Sequence, residues 1–598
     1  MVGVSIGLSR ELKQMRRFRV AAGLALAVVM NSVSGLCQPA QAPGTTNQAG
    51  TAQAGTAQPQ TVLRSQAYSV LLDVVVTEKG RALFGIDRKR FHVFEDGKEQ
   101  TIASLDAHSA QAAPQIQKRA PLPPHYYSNL PLHPVGSAVN VLLLDALNTP
   151  VGNQVEVRRQ MIKYMETIEP GTTMAIFTLA SRLRMIQGFT RNAGDLLNAL
   201  NKAKVNPKQS TALDPVSGSP FDAAISNLQM MGAPGDAVTS IQNFQADVDT
   251  FQTDKRAQMT IAAMQQLARY LSAVPGRKNL IWFSSSFPLN LAPTDISNPA
   301  AGSRSYAAEM RTTSEMLAAA RVAVYPIKAE GLATLAAFDV ANSGLGTVMR
   351  DPNQAARFTM EEVATDTGGK ALFNNNGFAK AVANVVDNGG SYYTIGYVPQ
   401  SKDFHGQFRK FKVKVDDCDC QLEHRAGYYA DPPDKPAMAA ASLMATATLH
   451  GAPPSSQVLF QARVLPATDP EVKDAKLSEG PIGEMAAALK PPTYRYVADL
   501  AVDARTLTLL AGEGTGRVGE LEFALVAYDA DGKRMNIVDR KTGISLSTQQ
   551  YADLMKQGLQ ARMALELPAG ENYLVIAVHD IAGARVGSVE IPLRVPEK

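Results

Sequence analysis

The chain has 598 residues, of which 45% are hydrophobic and 19% charged, with a formal net charge of +4. Such a length exceeds what one hydrophobic core supports and predicts about three or four domains, and the composition excludes a chain disordered throughout. The whole charge excess resides in Arg10, Lys13, Arg16, Arg17 and Arg19, offset by Glu11, so the rest is nearly neutral and offers no basic footprint for nucleic acid.

Those early charges precede residues 20–30, VAAGLALAVVM, a run of signal-peptide length and too short for an ordinary membrane span. Residues 1–37 therefore read as a signal peptide. The mature chain is expected to have no transmembrane domain and to be exported, to a periplasmic, cell-envelope or extracellular location. Met15 is an alternative start, an uncleaved anchor an alternative fate, and Cys37 an alternative lipidation site, although Leu36 stands where a small residue is expected. Residues 38–60 are small and polar and read as a disordered linker.

Residues 61–107 change character. Val70, Leu72, Val74 and Val76 alternate, and the pair Asp96-Gly97 marks a tight hairpin. These few strands need partners from elsewhere in the chain. Residues 108–137 are proline-rich and read as an extended connector.

An apolar run, VNVLLLDALNTP, opens the next region and ends in Asp145, Asn148 and Thr149. It suits a strand covered on both faces, with its carboxylate where open α/β sheets bind ligands. A helix over 155–168 follows, then a strand at 174–179 and a helix at 194–202. Residues 206–251 look irregular, and a helix resumes near Asp254. A strand at 279–283 leads to Ser284, Ser285 and Ser286. Helices at 307–320, 360–367 and 378–386 alternate with strands at 322–327 and 371–373, which is the pattern of a doubly wound sheet. Gly368-Gly369 reads as a helix cap rather than a phosphate cradle.

The blocks LLLDALNTP, PGRKNLIWFSSSF, VAVYPIKAEGL, ATDTGGKALFN, YYTIGYVP and FRKFKVKV...HRAGYYA, together with FHVFEDGKEQTI, span about residues 69–430. In this order they resemble the von Willebrand factor A (VWFA)-related family of secreted acidobacterial proteins. The resemblance implies a Rossmann-like vWA domain that binds proteins, in many cases through a metal-ion-dependent adhesion site. Its first-loop pattern, D-x-S-x-S, carries over in part: Asp145 holds the acidic position, Leu147 replaces the first hydroxyl, and Thr149 fits the second. Ser210 or Thr211 would supply the second loop, Ser285 stands where the third has an aspartate, and Lys328 replaces another aspartate. The implied ligands of a Mg²⁺ or Mn²⁺ ion are Asp145, Asn148, Thr149 and Ser285, with a single carboxylate among them. The alternative is that Asp145, Asn148 and Thr149 cap the following helix and satisfy loop amides.

Residues 399–430 return as strands, with Phe411, Val413 and Val415 alternating with lysines. They complete a small β-sandwich with residues 61–107, into which residues 138–398 are inserted. Cys418 and Cys420 form a disulfide or remain free thiols; two thiols with no paired histidine make no zinc site. Residues 431–450 read as a linker. Residues 451–598, with strands near 457–464, 494–502, 521–529, 563–567, 573–580 and 587–595, suggest an immunoglobulin-like β-sandwich, with a helix near 549–560.

The expected fold is thus α/β: a doubly wound vWA domain inserted in a small β-sandwich, then a second sandwich. The eight histidines show no paired spacing, and no G-x-S-x-G elbow surrounds the serines. The expected function is an exported binding or adhesion module with an unidentified protein partner, no nucleic-acid partner and no enzymatic activity. Alternatives are a metal-independent envelope scaffold and a hydrolase acting through Ser284–Ser286.

Overall fold

The computed structural model describes residues 69–109, 122–130, 138–202, 222–232, 234–285, 290–291, 304–328, 352–373, 378–431, 440–472, 492–512 and 516–596. The signal-peptide and linker readings of residues 1–60 lie outside these residues, as do Ser210, Thr211 and Ser286.

The run at residue 139 forms strand Val139–Asp145 at the centre of a five-stranded sheet. Its neighbours Lys278–Ser284 and Met174–Leu179 are parallel to it, Val322–Lys328 is parallel to Lys278–Ser284, and Leu183–Thr190 closes one edge antiparallel. That edge strand is absent from the sequence reading because only Leu183 of its side chains is buried. Odd-numbered residues of the central strand, Val139, Val141 and Leu143, face helices Gly235–Ser272 and Ala307–Ala319 in one core. Leu142 faces the opposite layer, built on helices Val151–Met165, Ala193–Lys202 and Phe378–Gly389. Helices on both faces explain the unbroken apolar strand.

The expected irregular segment at 206–251 is corrected where it is described. Helix Asp222–Met230 is followed by the 38-residue helix Gly235–Ser272. No described residue of the long helix is buried before Arg256, so this half of it contributes nothing to the core. Thr239, Ser240 and Thr253 donate to the carbonyls of Gly235, Asp236 and Asp249, satisfying their hydroxyls within the helix.

Strand Tyr392–Tyr397, read as part of residues 138–398, lies outside the parallel sheet. It pairs antiparallel with Val70–Glu78 and Ile102–His108. A second sheet sets Phe408–Val415 between Phe91–Glu95 and Gly427–Tyr429. The two sheets share a core of Leu72, Val74, Val93, Ile395, Phe411 and Val413, so residues before and after the α/β layer bury one another. Cys418 and Cys420 are joined in a disulfide beyond strand Phe408–Val415.

Two further sheets share a core beyond residue 455. The proline-rich connector supplies one of their strands, Tyr126–Ser128, paired with Phe460–Pro466. Asn129 fixes it there: its Nδ2 donates to the carbonyls of Ser455 and Val458, and its Oδ1 accepts from the Phe460 amide. Within the expected linker, helix Ala440–Ala447 packs Met444 and Ala447 on Ala524, Ala577 and Val586. Strand Arg534–Leu546 was not foreseen, because its outer half is exposed and breaks the alternation. The expected helix near 549–560 is Thr548–Gln557, opened by a Ser547/Gln550 capping box.

Gly368 and Gly369 end helix Pro352–Thr367, with the Gly369 amide donating to the Ala364 carbonyl at 2.8 Å and Gly368 at φ +81°. A Cβ on Gly369 would lie 2.0 Å from the Val324 carbonyl oxygen. Gly369→Ala is accordingly expected to destabilise the protein by about 3 kcal/mol in chemical denaturation, since the contact is with backbone that cannot swing aside.

Candidate functional site

Three strands of the parallel sheet end together at Asp145, Ser284 and Lys328. Asp145 follows four consecutive aliphatic residues, which carry its carboxylate into the protein rather than to its rim; only 2% of it is exposed. Asn148, Thr149, Ser284 and Ser285 around it are also buried, and Lys328 is half-buried.

Asp145 gathers four hydrogen bonds. Its Oδ1 accepts from the Asn148 amide at 3.0 Å, while its Oδ2 accepts from Asn148 Nδ2 at 2.8 Å, Trp282 Nε1 at 3.1 Å and Ser284 Oγ at 2.8 Å. Asn148 Nδ2 also donates to Thr260 Oγ1 at 2.8 Å, and that hydroxyl donates to the Arg256 carbonyl, so the loop is pinned to the long helix. Thr149 Oγ1 accepts from the Ser285 amide at 3.2 Å. The four sequence-derived candidates therefore meet in one place. Ser284, Trp282 and Thr260 belong with them and were not singled out as partners; a polar residue closing an apolar strand was the available signal for Ser284.

The helix-cap alternative is corrected. Helix Val151–Met165 begins at Pro150 without a side-chain cap, since proline has no side-chain oxygen to accept from the first-turn amides. The other half of that alternative, satisfaction of a loop amide, matches the Asn148 amide on Asp145.

Burial raises the Asp145 carboxyl from 3.8 to about 6, against the opposing pull of its hydrogen bonds to Asn148, Ser284 and Trp282. A hard divalent cation takes oxygen lone pairs, and magnesium demands near-octahedral geometry. Here the one carboxylate accepts from N–H and O–H groups on four sides. Two buried oxygens, Asn148 Oδ1 and Ser285 Oγ, lack a hydrogen-bond partner, but both are neutral. No cluster of three or more His, Cys, Asp or Glu able to hold a metal occurs among the described residues. The donor set does not fit Mg²⁺ or Mn²⁺: an ion would have to displace an indole N–H and find charge that these residues do not supply.

For hydrolysis, Ser284 and Ser285 are both buried, and Ser284 donates to Asp145. The described histidines with side-chain partners are engaged elsewhere: His92 with Glu99 and Asp416, His405 with Asp403, His450 with Glu590, His579 with Glu522.

No family model and no curated protein matches the chain. Among solved structures, the conserved hypothetical protein BatB from Bacteroides thetaiotaomicron is 12% identical, over 42% of this chain and 98% of its own, with a TM-score of 0.21. Proximal thread matrix protein 1 from the mussel byssus, with a zinc-occupied MIDAS motif, is 12% identical over 46% of this chain and 50% of its own, at 0.21. A von Willebrand factor type A structure from Catenulispora acidiphila is 9% identical over 57% and 76%, at 0.16. Scores this low leave the α/β architecture to rest on the strand order itself.

Proposed function

We propose that the chain is an exported protein-binding module of the von Willebrand A type, that it holds its partner without a metal ion, and that it is not an enzyme. In this reading the C-terminal sandwich is immunoglobulin-like and serves as a companion domain. The leader-like residues 1–37 and the Cys418–Cys420 disulfide support an oxidising location outside the cytoplasm.

The observation that carries the reading is where the antiparallel units attach. The flanking sandwich is fastened at the amino ends of the parallel strands: Arg321, just before Val322–Lys328, bonds Asp73 and Thr394, and the Arg277 amide, just before Lys278–Ser284, donates to the Tyr392 hydroxyl. The C-terminal unit attaches at the sheet edge and the long helix, through the Met185 amide on Gly451 and Gln266 on Thr446. The carboxyl ends, where α/β sheets meet their ligands, are stiffened instead by the Asp145 network. A rigid loop costs less entropy on binding, which suits recognition rather than chemistry.

The test is a pull-down from envelope extracts with the tagged full chain, with and without EDTA, beside a calorimetric titration of Mg²⁺ and Mn²⁺. The same partner should be retained in both extracts, and millimolar ion should give neither heat nor a thermal shift. Loss of the partner in EDTA would overturn metal independence; retention of no partner in either would leave the scaffold alternative.

A further inference from the structure

From Asp222 to Asp254 the sequence carries five aspartates and no lysine, arginine or histidine. This acidic stretch comprises helix Asp222–Met230 and the part of helix Gly235–Ser272 that lacks buried residues. That part is about 30 Å long at 1.5 Å per residue. Along it, Ile241, Phe244, Val248 and Phe251 recur at alternating intervals of three and four, the spacing of a seam that receives another helix. Phe244 is 55% exposed and Phe251 60%. Helix Asp222–Met230 packs beside the long helix, and at its end Met230 and Met231 are 78% and 81% exposed. Aromatic and methionine side chains so exposed on one feature mark an interaction surface.

We infer that this helix pair is a docking arm for a basic amphipathic helix of a partner protein. The inference rests on the binding-module reading above and gives that partner its chemistry. The apolar seam selects a helix presenting a matching stripe, and the exposed Asp247, three residues beyond Phe244, and Asp249, next to Val248, add negative charge beside it. A second copy of this chain would bring the same aspartates to the seam, and like charges there repel. An anionic membrane surface is disfavoured for the same reason. At the inner end Lys255 sits over the Phe251 ring at 5.6 Å, which is where the acidic stretch stops and burial in the sheet's core begins.

The experiment uses the full chain and the helical peptide LKKLLKLLKKLLKL, with LEELLELLEELLEL as its acidic counterpart, in fluorescence titrations. The basic peptide should bind, weaken several-fold as salt is raised, and weaken about tenfold in the double variant Phe244→Ser with Phe251→Ser. Asp247→Asn with Asp249→Asn should also weaken it, and the acidic peptide should not bind. Because these side chains are exposed, the variants should keep the wild-type circular dichroism and melting curve. Equal affinity for the two peptides, or binding unchanged in the phenylalanine variant, would overturn the arm, as would a dimer in sedimentation that the same variant abolishes. If the phenylalanine variant still retains the partner from envelope extracts, the arm fails while the binding-module reading stands.

Discussion

Asp145→Ala is expected to cost about 3–5 kcal/mol of folding stability, because it leaves the Asn148 amide, Asn148 Nδ2, the Trp282 indole and the Ser284 hydroxyl without their shared acceptor. The cost should appear whether or not divalent ions are present. The pH dependence follows from the raised carboxyl. Its folded-state value of about 6 lies above the ordinary 3.8, so on acidification the folded chain takes up this proton before the unfolded chain does. The contribution is therefore most favourable below about pH 4 and is lost as the pH rises to about 6, by on the order of 2–3 kcal/mol. Denaturation of the wild type and Asp145→Asn across pH 4–7 checks this. The asparagine variant should lack that share of the slope, and identical slopes would refute the assignment.

Glu95→Ala should be comparably damaging. Arg409 and Glu95 are 2% and 4% exposed and bond at 2.9 Å inside the flanking sandwich. Glu95 also accepts from the Tyr397 and Tyr428 hydroxyls, and this pushes the Tyr397 hydroxyl well above its ordinary range, with burial as the larger cause. Removing the carboxylate strands a buried guanidinium, at a cost of about 3–5 kcal/mol. Replacing both members, Glu95→Leu with Arg409→Met, should recover most of the loss, because the desolvation of two charges goes with them. Urea denaturation of the single and double variants measures the difference. A double variant no more stable than Glu95→Ala would mean that the pair's hydrogen bonds, rather than the unpaired charge, dominate.

Much of the layering was legible because local periodicity reports how a segment is covered. Residues 141–144 read as a strand buried on both faces, and the separate cores that hold Val141 and Leu143 on one face and Leu142 on the other bear this out. The alternation of Phe411 and Val413 with lysines read as a half-buried strand, and its burial alternates accordingly. The same parity puts the charged Arg409 and Glu95 on inward-facing positions. Where burial is absent the apolar period is thin: Ile241, Phe244, Val248 and Phe251 stand among polar residues just after Pro234 and Gly235, so the exposed beginning of the long helix resembles a loop. Short segments that gain order from distant partners were equally hidden: Tyr126–Ser128 is a strand because Phe460–Pro466 offers it an edge.

At the candidate site the sequence by itself determined that a carboxylate would close the central strand, followed at short range by Asn148 and Thr149. It could not tell whether that carboxylate would face solvent and a cation or be sealed among donors. That outcome depended on Trp282 and Ser284, which lie 137 and 139 residues away and reach Asp145 only because Lys278–Ser284 runs parallel beside Val139–Asp145 in this register. Which residues turn inward is written locally, in spacing. Which buried polar group meets which is set by register and crossover between distant segments, and only the tertiary structure decided it.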